Sequence, residues 1–178
     1  MPSVTIYTAP YGDACRHSRE LLTRAIVRHT GRDCGEISCN PWGKPFFPAL
    51  RDVHCSVSHS GDWWVCAVSE RSVGLDLQIH RSHLPPEKLS QRFFHPLEDQ
   101  YLARREYAPF FDLWCAKESF VKFTGRGFSM EPDSFSVVSE DGVFPAAENC
   151  AFRLLPFQEE YSLCLCAEDP GEIRFFSL

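Results

Sequence analysis

The alternation of apolar and polar positions changes period along the chain, and each change marks an element. A short apolar strand, VTIY, comes first. From Cys15 to His29, Leu21, Leu22, Ile26 and Val27 fall at helical spacing and stop before Thr30-Gly31, which predicts a first helix. Trp42-Gly43-Lys44-Pro45 and Pro48 predict a loop. HCSVSHSGDWWVCAVS, with Val57 and then Val65, Ala67 and Val68, reads as two strands about a turn at Ser60-Gly61-Asp62. A third strand, Val73 to Gln78, puts Val73, Leu75 and Leu77 on one face and Gly74, Asp76 and Gln78 on the other.

Between Ile79 and Pro86 the chain turns polar and proline-bearing, so the expected division is an N-terminal lobe, residues 1–79, and a C-terminal lobe, residues 80–178. Two helices with proline at their starts are predicted at 86–94 and 96–106. From Phe110, the apolar residues Leu113, Trp114, Phe120, Val121 and Phe123 recur at three- and four-residue spacing and Gly125 follows, the pattern of a half-buried helix ended by glycine. Short alternating segments at 135–139, 150–155, 161–167 and 173–176, separated by Asp141-Gly142, Pro156 and Asp169-Pro170-Gly171, predict an antiparallel sheet. The fold class is therefore α+β, with two lobes that look architecturally alike.

The chain has 178 residues, 44% of them hydrophobic, ample for a core. A net charge of −6 argues against a nucleic-acid partner, which asks for a basic footprint. No apolar run is long enough to span a membrane and the start lacks a basic and apolar leader, so the expectation is a cytosolic protein. Nine cysteines without a C-x-x-C pair point to free, mostly buried thiols rather than to zinc or a redox motif.

The residues with chemistry gather in two places. On the helix from Phe110, Trp114, Glu118 and Lys122 stand four apart and share one stripe, with Lys117 beside it. By itself such a Glu–Lys pair is a solvated surface pair. On the third strand, Asp76 and Gln78 point the same way, roughly 6.5 Å apart. A carboxylate in an apolar strand is costly unless something cationic balances it.

W-x-x-K-E-S-x-x-K followed by G-x-G, on Trp114, Lys117, Glu118, Ser119, Lys122, Gly125 and Gly127, resembles the signature of the 4′-phosphopantetheinyl transferases, specifically the monomeric type that activates non-ribosomal peptide synthetases. PDSFSVV at 132–138 is similar to that family's next strand, and G-K-P at Gly43, Lys44 and Pro45, V-S-H-S-G around Ser58 and His59, and F-F-H-P-L-E ending at Glu98 match its other motifs in order. The resemblance covers residues 17 to 167. It implies two similar α+β lobes with coenzyme A in the cleft between them. It also implies Mg²⁺ on Asp76, Gln78 and Glu118, although the family's strand carries a glutamate where this chain has Gln78.

By the same resemblance Gly43, Lys44, Pro45, Ser58, His59, Arg19, Lys117 and Lys122 would contact coenzyme A, and Glu118, Lys122 and Glu98 would serve catalysis. No lysine-rich segment precedes the first helix. The 3′-phosphate is accordingly expected to rest on Lys44 and His59, with Arg19 as a third contact. The implied reaction is attack of a carrier-protein serine on the phosphate bearing pantetheine, releasing adenosine 3′,5′-bisphosphate. The implied partner is an acyl- or peptidyl-carrier protein, with no nucleic acid and no membrane, and the chain is expected to act as a monomer. The competing reading is a relative that binds coenzyme A or a carrier without turnover.

Overall fold

The computed structural model describes residues 3–11, 17–139 and 150–178. The predicted helix start at Cys15 and Arg16 and the Asp141-Gly142 separator lie outside the described residues. Nine strands occur among them: β1 (Ser3–Pro10), β2 (Ser38–Cys39), β3 (Pro45–Phe46), β4 (His54–Ser60), β5 (Trp63–Ser69), β6 (Val73–Ile79), β7 (Ala151–Leu155), β8 (Tyr161–Ala167) and β9 (Glu172–Ser177). Four α-helices accompany them: α1 (Ser18–Thr30), α2 (Pro86–Phe93), α3 (Pro96–Ala103) and α4 (Phe110–Thr124).

The strands form a four-stranded sheet in the order β4-β5-β1-β9, a three-stranded sheet in the order β6-β8-β7 and a small β2-β3 ribbon. Alternation within each strand then decides the layers. Tyr7, Ala9, Trp64, Cys66 and Val68 face α1, where Leu22, Ala25 and Ile26 are buried. The opposite face, Val4, Ile6, Val65 and Ala67, packs on Val73, Leu75, Leu77, Leu163, Leu165 and Ala167 of the second sheet. The second sheet's other face offers Phe152, Cys164 and Cys166 to Leu113, Ala116, Phe120 and Phe123 of α4, with Phe94 and Leu102 of the α2–α3 pair alongside. Helix, sheet, sheet and helix thus stack in that order.

The α+β class and the hairpin, third strand and signature helix stand as the pattern predicts. Four local expectations change. Strand β9 runs parallel to β1, from Ser3↔Glu172 to Thr8↔Ser177, so the first sheet is not wholly antiparallel. Strand β6 hydrogen-bonds to β8, from Val73↔Ala167 to Ile79↔Tyr161, although the sequence groups it with the hairpin before it. Residues 135–139 are not a strand. They are pinned by side chains instead, because Lys117 Nζ donates to the Phe135 carbonyl at 2.9 Å and the Val137 amide donates to Glu98 at 2.8 Å. Finally, α3 ends at Ala103, since Glu106 and Tyr107 adopt positive φ of 53° and 59° and turn the chain back.

Candidate functional site

Strand β6 and helix α4 lie in unusually close contact because Gly74 has no side chain. A Cβ there would drive into the Ser119 carbonyl and the Phe123 amide of α4. Two residues further along the same face, Asp76 meets α4, and its carboxylate is buried at 6% exposure. Lys122 Nζ donates to Asp76 Oδ1 at 2.6 Å, and the Ser58 hydroxyl donates to the same oxygen at 2.7 Å. The acid expected from strand alternation and the lysine expected from the helical stripe are therefore joined. Burial raises the Glu118 carboxyl above the ordinary carboxylate range, and the nearby charge of Asp76 raises it further, while Lys122 and Lys117 hold it back. One exposed-edge cation thus stands against two carboxylates. Gln78, next on that face, is half-buried, and its amide nitrogen donates to the Ile79 carbonyl at 3.2 Å.

Glu118 and Lys122 form one wall of a groove of about 650 Å³. The other wall comprises Ser18, Arg19 and Leu22 at the start of α1, Cys39, Trp42, Gly43, Lys44 and Pro45 of the β2–β3 ribbon, and Ser56 and Val57 of β4. Val121, Gly125, Gly127, Met130 and Pro132 also line the groove. Of the residues expected to touch a ligand, Arg19, Gly43, Lys44, Pro45, Glu118 and Lys122 line this groove. It is mixed in polarity, with Arg19, Lys44, Glu118 and Lys122 among apolar residues.

Several other expected ligand contacts are engaged elsewhere. Lys117 Nζ sits 2.8 Å from Glu98 Oε2 in a buried ion pair, with side-chain exposures of 4% and 0%. Glu98 also accepts the His95 amide at 3.0 Å, closing a capping box at the start of α3. Neither residue lines the groove, and their bond fastens α4, α3 and the 135–137 segment together. Burial lowers the Lys117 pKa, and Glu98 offsets part of that.

Lys44 does reach the groove, but its ammonium is turned inward. It donates to the carbonyls of Val73 at 3.0 Å, Lys122 at 2.7 Å and Phe123 at 3.1 Å. A cation on the last carbonyls of a helix is favourably placed, yet burial pulls its pKa down to about 8. Asn40, which the sequence reading passed over, completes the clamp. Its side chain donates to the Gly125 carbonyl at 2.8 Å and accepts the Trp42 and Lys44 amides at 3.0 and 2.9 Å. The signal was Asn-Pro ahead of Trp-Gly, a side chain suited to organise a turn. The G-x-G pair fits the same contact, since a Cβ on Gly127 would come within 2.9 Å of Trp42 Cβ.

Ser58 is buried on Asp76 rather than open to the groove, and His59, on the opposite face of β4, is exposed and stacks on Tyr11 at 4.7 Å. Arg19 donates to the Ile37 carbonyl at 3.1 Å while remaining exposed. Of the eight described cysteines, all without disulfides, seven are buried and Cys39 is exposed. Among the described residues no group of three His, Cys, Asp or Glu is placed to hold an ion. A cation here would rest on Asp76 and Glu118, with the Gln78 amide, water or a ligand oxygen completing its shell.

Comparison with known proteins returns one family. The model described as the 4′-phosphopantetheinyl transferase superfamily matches residues 72–169, which include β6, α4 and β8. A Bacillus subtilis protein named 4′-phosphopantetheinyl transferase is 37% identical over 162 residues, 84% of this chain and 71% of its own length. The 4′-phosphopantetheinyl transferase Sfp of Bacillus subtilis strain 168 is 32% identical over 164 residues, 85% of this chain and 72% of its own. The 4′-phosphopantetheinyl transferase AcpT of Escherichia coli K12 is 28% identical over 167 residues, 91% of this chain and 80% of its own.

Proposed function

Because the chain belongs to the 4′-phosphopantetheinyl transferase superfamily, we propose that it transfers the 4′-phosphopantetheine group of coenzyme A to a serine of an apo acyl- or peptidyl-carrier protein. One observation carries this reading. Asp76 from one sheet and Glu118 and Lys122 from α4 meet beside a groove of about 650 Å³ that Arg19, Lys44, Glu118 and Lys122 line.

The donor set fits a hard divalent cation. Two carboxylates, of which Glu118 is charged less readily beside Asp76, one amide and no thiol or imidazole suit Mg²⁺, which keeps several waters and takes the rest of its shell from phosphate. Mg²⁺, when bound, would neutralise the pyrophosphate and polarise the reacting phosphoryl group.

The chain's own residues would do the rest by placement and charge. Lys122, already beside Asp76 and partly open to the groove, would sit against the pyrophosphate. The carrier serine oxygen forms a bond to the phosphorus bearing pantetheine. The bridging P–O bond breaks, and adenosine 3′,5′-bisphosphate leaves with that oxygen. Glu118 takes the serine proton, directly or through water. Arg19, free at its outer edge, would hold phosphate on the ribbon side. An acidic carrier would meet the exposed Lys88, Arg92, Arg104 and Arg105 on and after α2 and α3.

A mass-shift assay on a panel of apo-carriers with coenzyme A and Mg²⁺ tests this. The expected result is one phosphopantetheine added per carrier, lost in Glu118→Gln and Asp76→Asn proteins that melt like wild type. Coenzyme A binding without transfer to any carrier would favour a binding-only relative.

A further inference from the structure

Strand β4 carries serine at every second position, and the three hydroxyls meet the edge of β6 in register. The amides of Leu75, Leu77 and Ile79 donate to the hydroxyls of Ser56, Ser58 and Ser60 at 2.9, 3.2 and 2.9 Å. Side chains of one sheet thus take the place of a neighbouring strand for the outer edge of the other. Ser58 differs from Ser60 in what its own hydrogen does: it donates to Asp76 Oδ1.

We propose that Ser58 is a positioning residue that fixes the Asp76 carboxylate for a divalent cation, rather than a contact to the substrate's phosphates. The inference rests on the reading of Asp76 as metal-directed. A serine hydroxyl has one hydrogen to give, and that of Ser58 is committed at 2.7 Å, on a residue only 6% exposed. It therefore has none to offer a phosphate. Lys122 donates to the same oxygen at 2.6 Å. The two donors hold Oδ1 from the β4 side and the α4 side, which fixes the rotation of the carboxylate. Among the described residues nothing hydrogen-bonds to Oδ2, the oxygen left to a cation. Outer contacts of this kind orient a ligating carboxylate and set its affinity.

Ser60 supplies a matched control, because it makes the same bond to β6 without touching a carboxylate. Mn²⁺ binding, read from the free-ion electron paramagnetic resonance signal in the presence of coenzyme A, is compared in wild type, Ser58→Ala and Ser60→Ala. Coenzyme A binding in EDTA is measured by calorimetry for the same three. The expected result is Mn²⁺ affinity weakened about ten- to a hundredfold in Ser58→Ala, unchanged in Ser60→Ala, with metal-free coenzyme A affinity equal in all three. Equal Mn²⁺ affinities in the two variants overturn the role of Ser58 while leaving Asp76 as a metal ligand. Weakened coenzyme A binding in EDTA for Ser58→Ala also overturns it, because the hydroxyl would then be holding a phosphate. A wild type that binds no Mn²⁺ with coenzyme A removes the metal reading of Asp76 and this inference with it. Should Ser58→Ala unfold, the near-isosteric pair Ser58→Thr and Ser58→Val, differing in the hydroxyl, carries the same comparison.

Discussion

Replacing Lys117 by methionine separates a structural lysine from a substrate-binding one. The pair it forms with Glu98 is closed off from water, at 4% and 0% exposure. Methionine keeps the stem but leaves the Glu98 carboxylate with only the Val137 and His95 amides, at 2.8 and 3.0 Å. Breaking a buried pair by removing one partner costs about 3–5 kcal/mol, because the other charge stays buried. For a domain of this size that corresponds to a fall in Tm of roughly 6–20 °C. Removing both charges, as in Glu98→Gln with Lys117→Met, should cost well under the sum of the single variants, since no orphan charge remains. Urea titrations of the four proteins at neutral pH give the cycle. Calorimetry with coenzyme A, run where each variant is folded, should show nearly unchanged affinity. A Lys117→Met protein within about 1 kcal/mol of wild type by this cycle that had lost coenzyme A affinity would refute the reasoning, and would return Lys117 to the groove.

Burial holds the Lys44 pKa at about 8 in the folded protein against 10.5 for the free side chain. The unfolded chain therefore binds more protons at this group between those values, so Lys44 itself contributes a rise of about 2 kcal/mol from pH 8 to pH 10, against the opposite trend from the buried thiols of Cys55, Cys66, Cys115, Cys164 and Cys166, whose pKa values stand above the ordinary thiol value. That rise should vanish in Lys44→Met; identical pH dependences of the two proteins would mean that the three carbonyls compensate the burial in full. Gly74→Ala should destabilise by more than about 3 kcal/mol, as the methyl group meets helix backbone that cannot yield; a thermal melt near wild type would show that β6 and α4 can separate. Gln78→Glu adds a third acid on the Asp76 face and should tighten Mg²⁺ binding by calorimetry, whereas a loss of affinity would mark Gln78 as a hydrogen-bonding residue.

Asp76, Glu118 and Lys122 were legible because two short-range rules place them: alternation aims Asp76 off the apolar face, and the helical repeat stacks Glu118 over Lys122. What a side chain does at long range was not legible. Lys117 stands on the same helix, yet its partner Glu98 comes from α3, and no local spacing announces it. Lys44 read as a charge on a rigid loop, whereas its acceptors are backbone carbonyls, which every residue carries. Ser58 lay in a matched motif, but only the register of β4 on β6 shows that its hydrogen is spent on Asp76. The alternating Phe135 and Val137 mimicked a strand because they pack on the α4 core while Lys117 and Glu98, rather than a neighbouring strand, hold their backbone. The segment of β9 was expected but its parallel pairing with β1 was not, because hairpin rules pair neighbours and say nothing of a partner so distant along the chain.

The pairing of β9 with β1 has a consequence for synthesis. Ser3 waits for Glu172, so the edge of the first sheet stays open until residues 172–177 have been synthesised. Its neighbour β6 likewise waits for β8. A contact map weighted to such distant partners folds slowly and leaves unpaired strand edges exposed meanwhile. Loss of β9 would leave β1 with a bare edge next to the buried Val4 and Ile6, so truncation before Glu172 should yield aggregated protein rather than a slightly shortened enzyme.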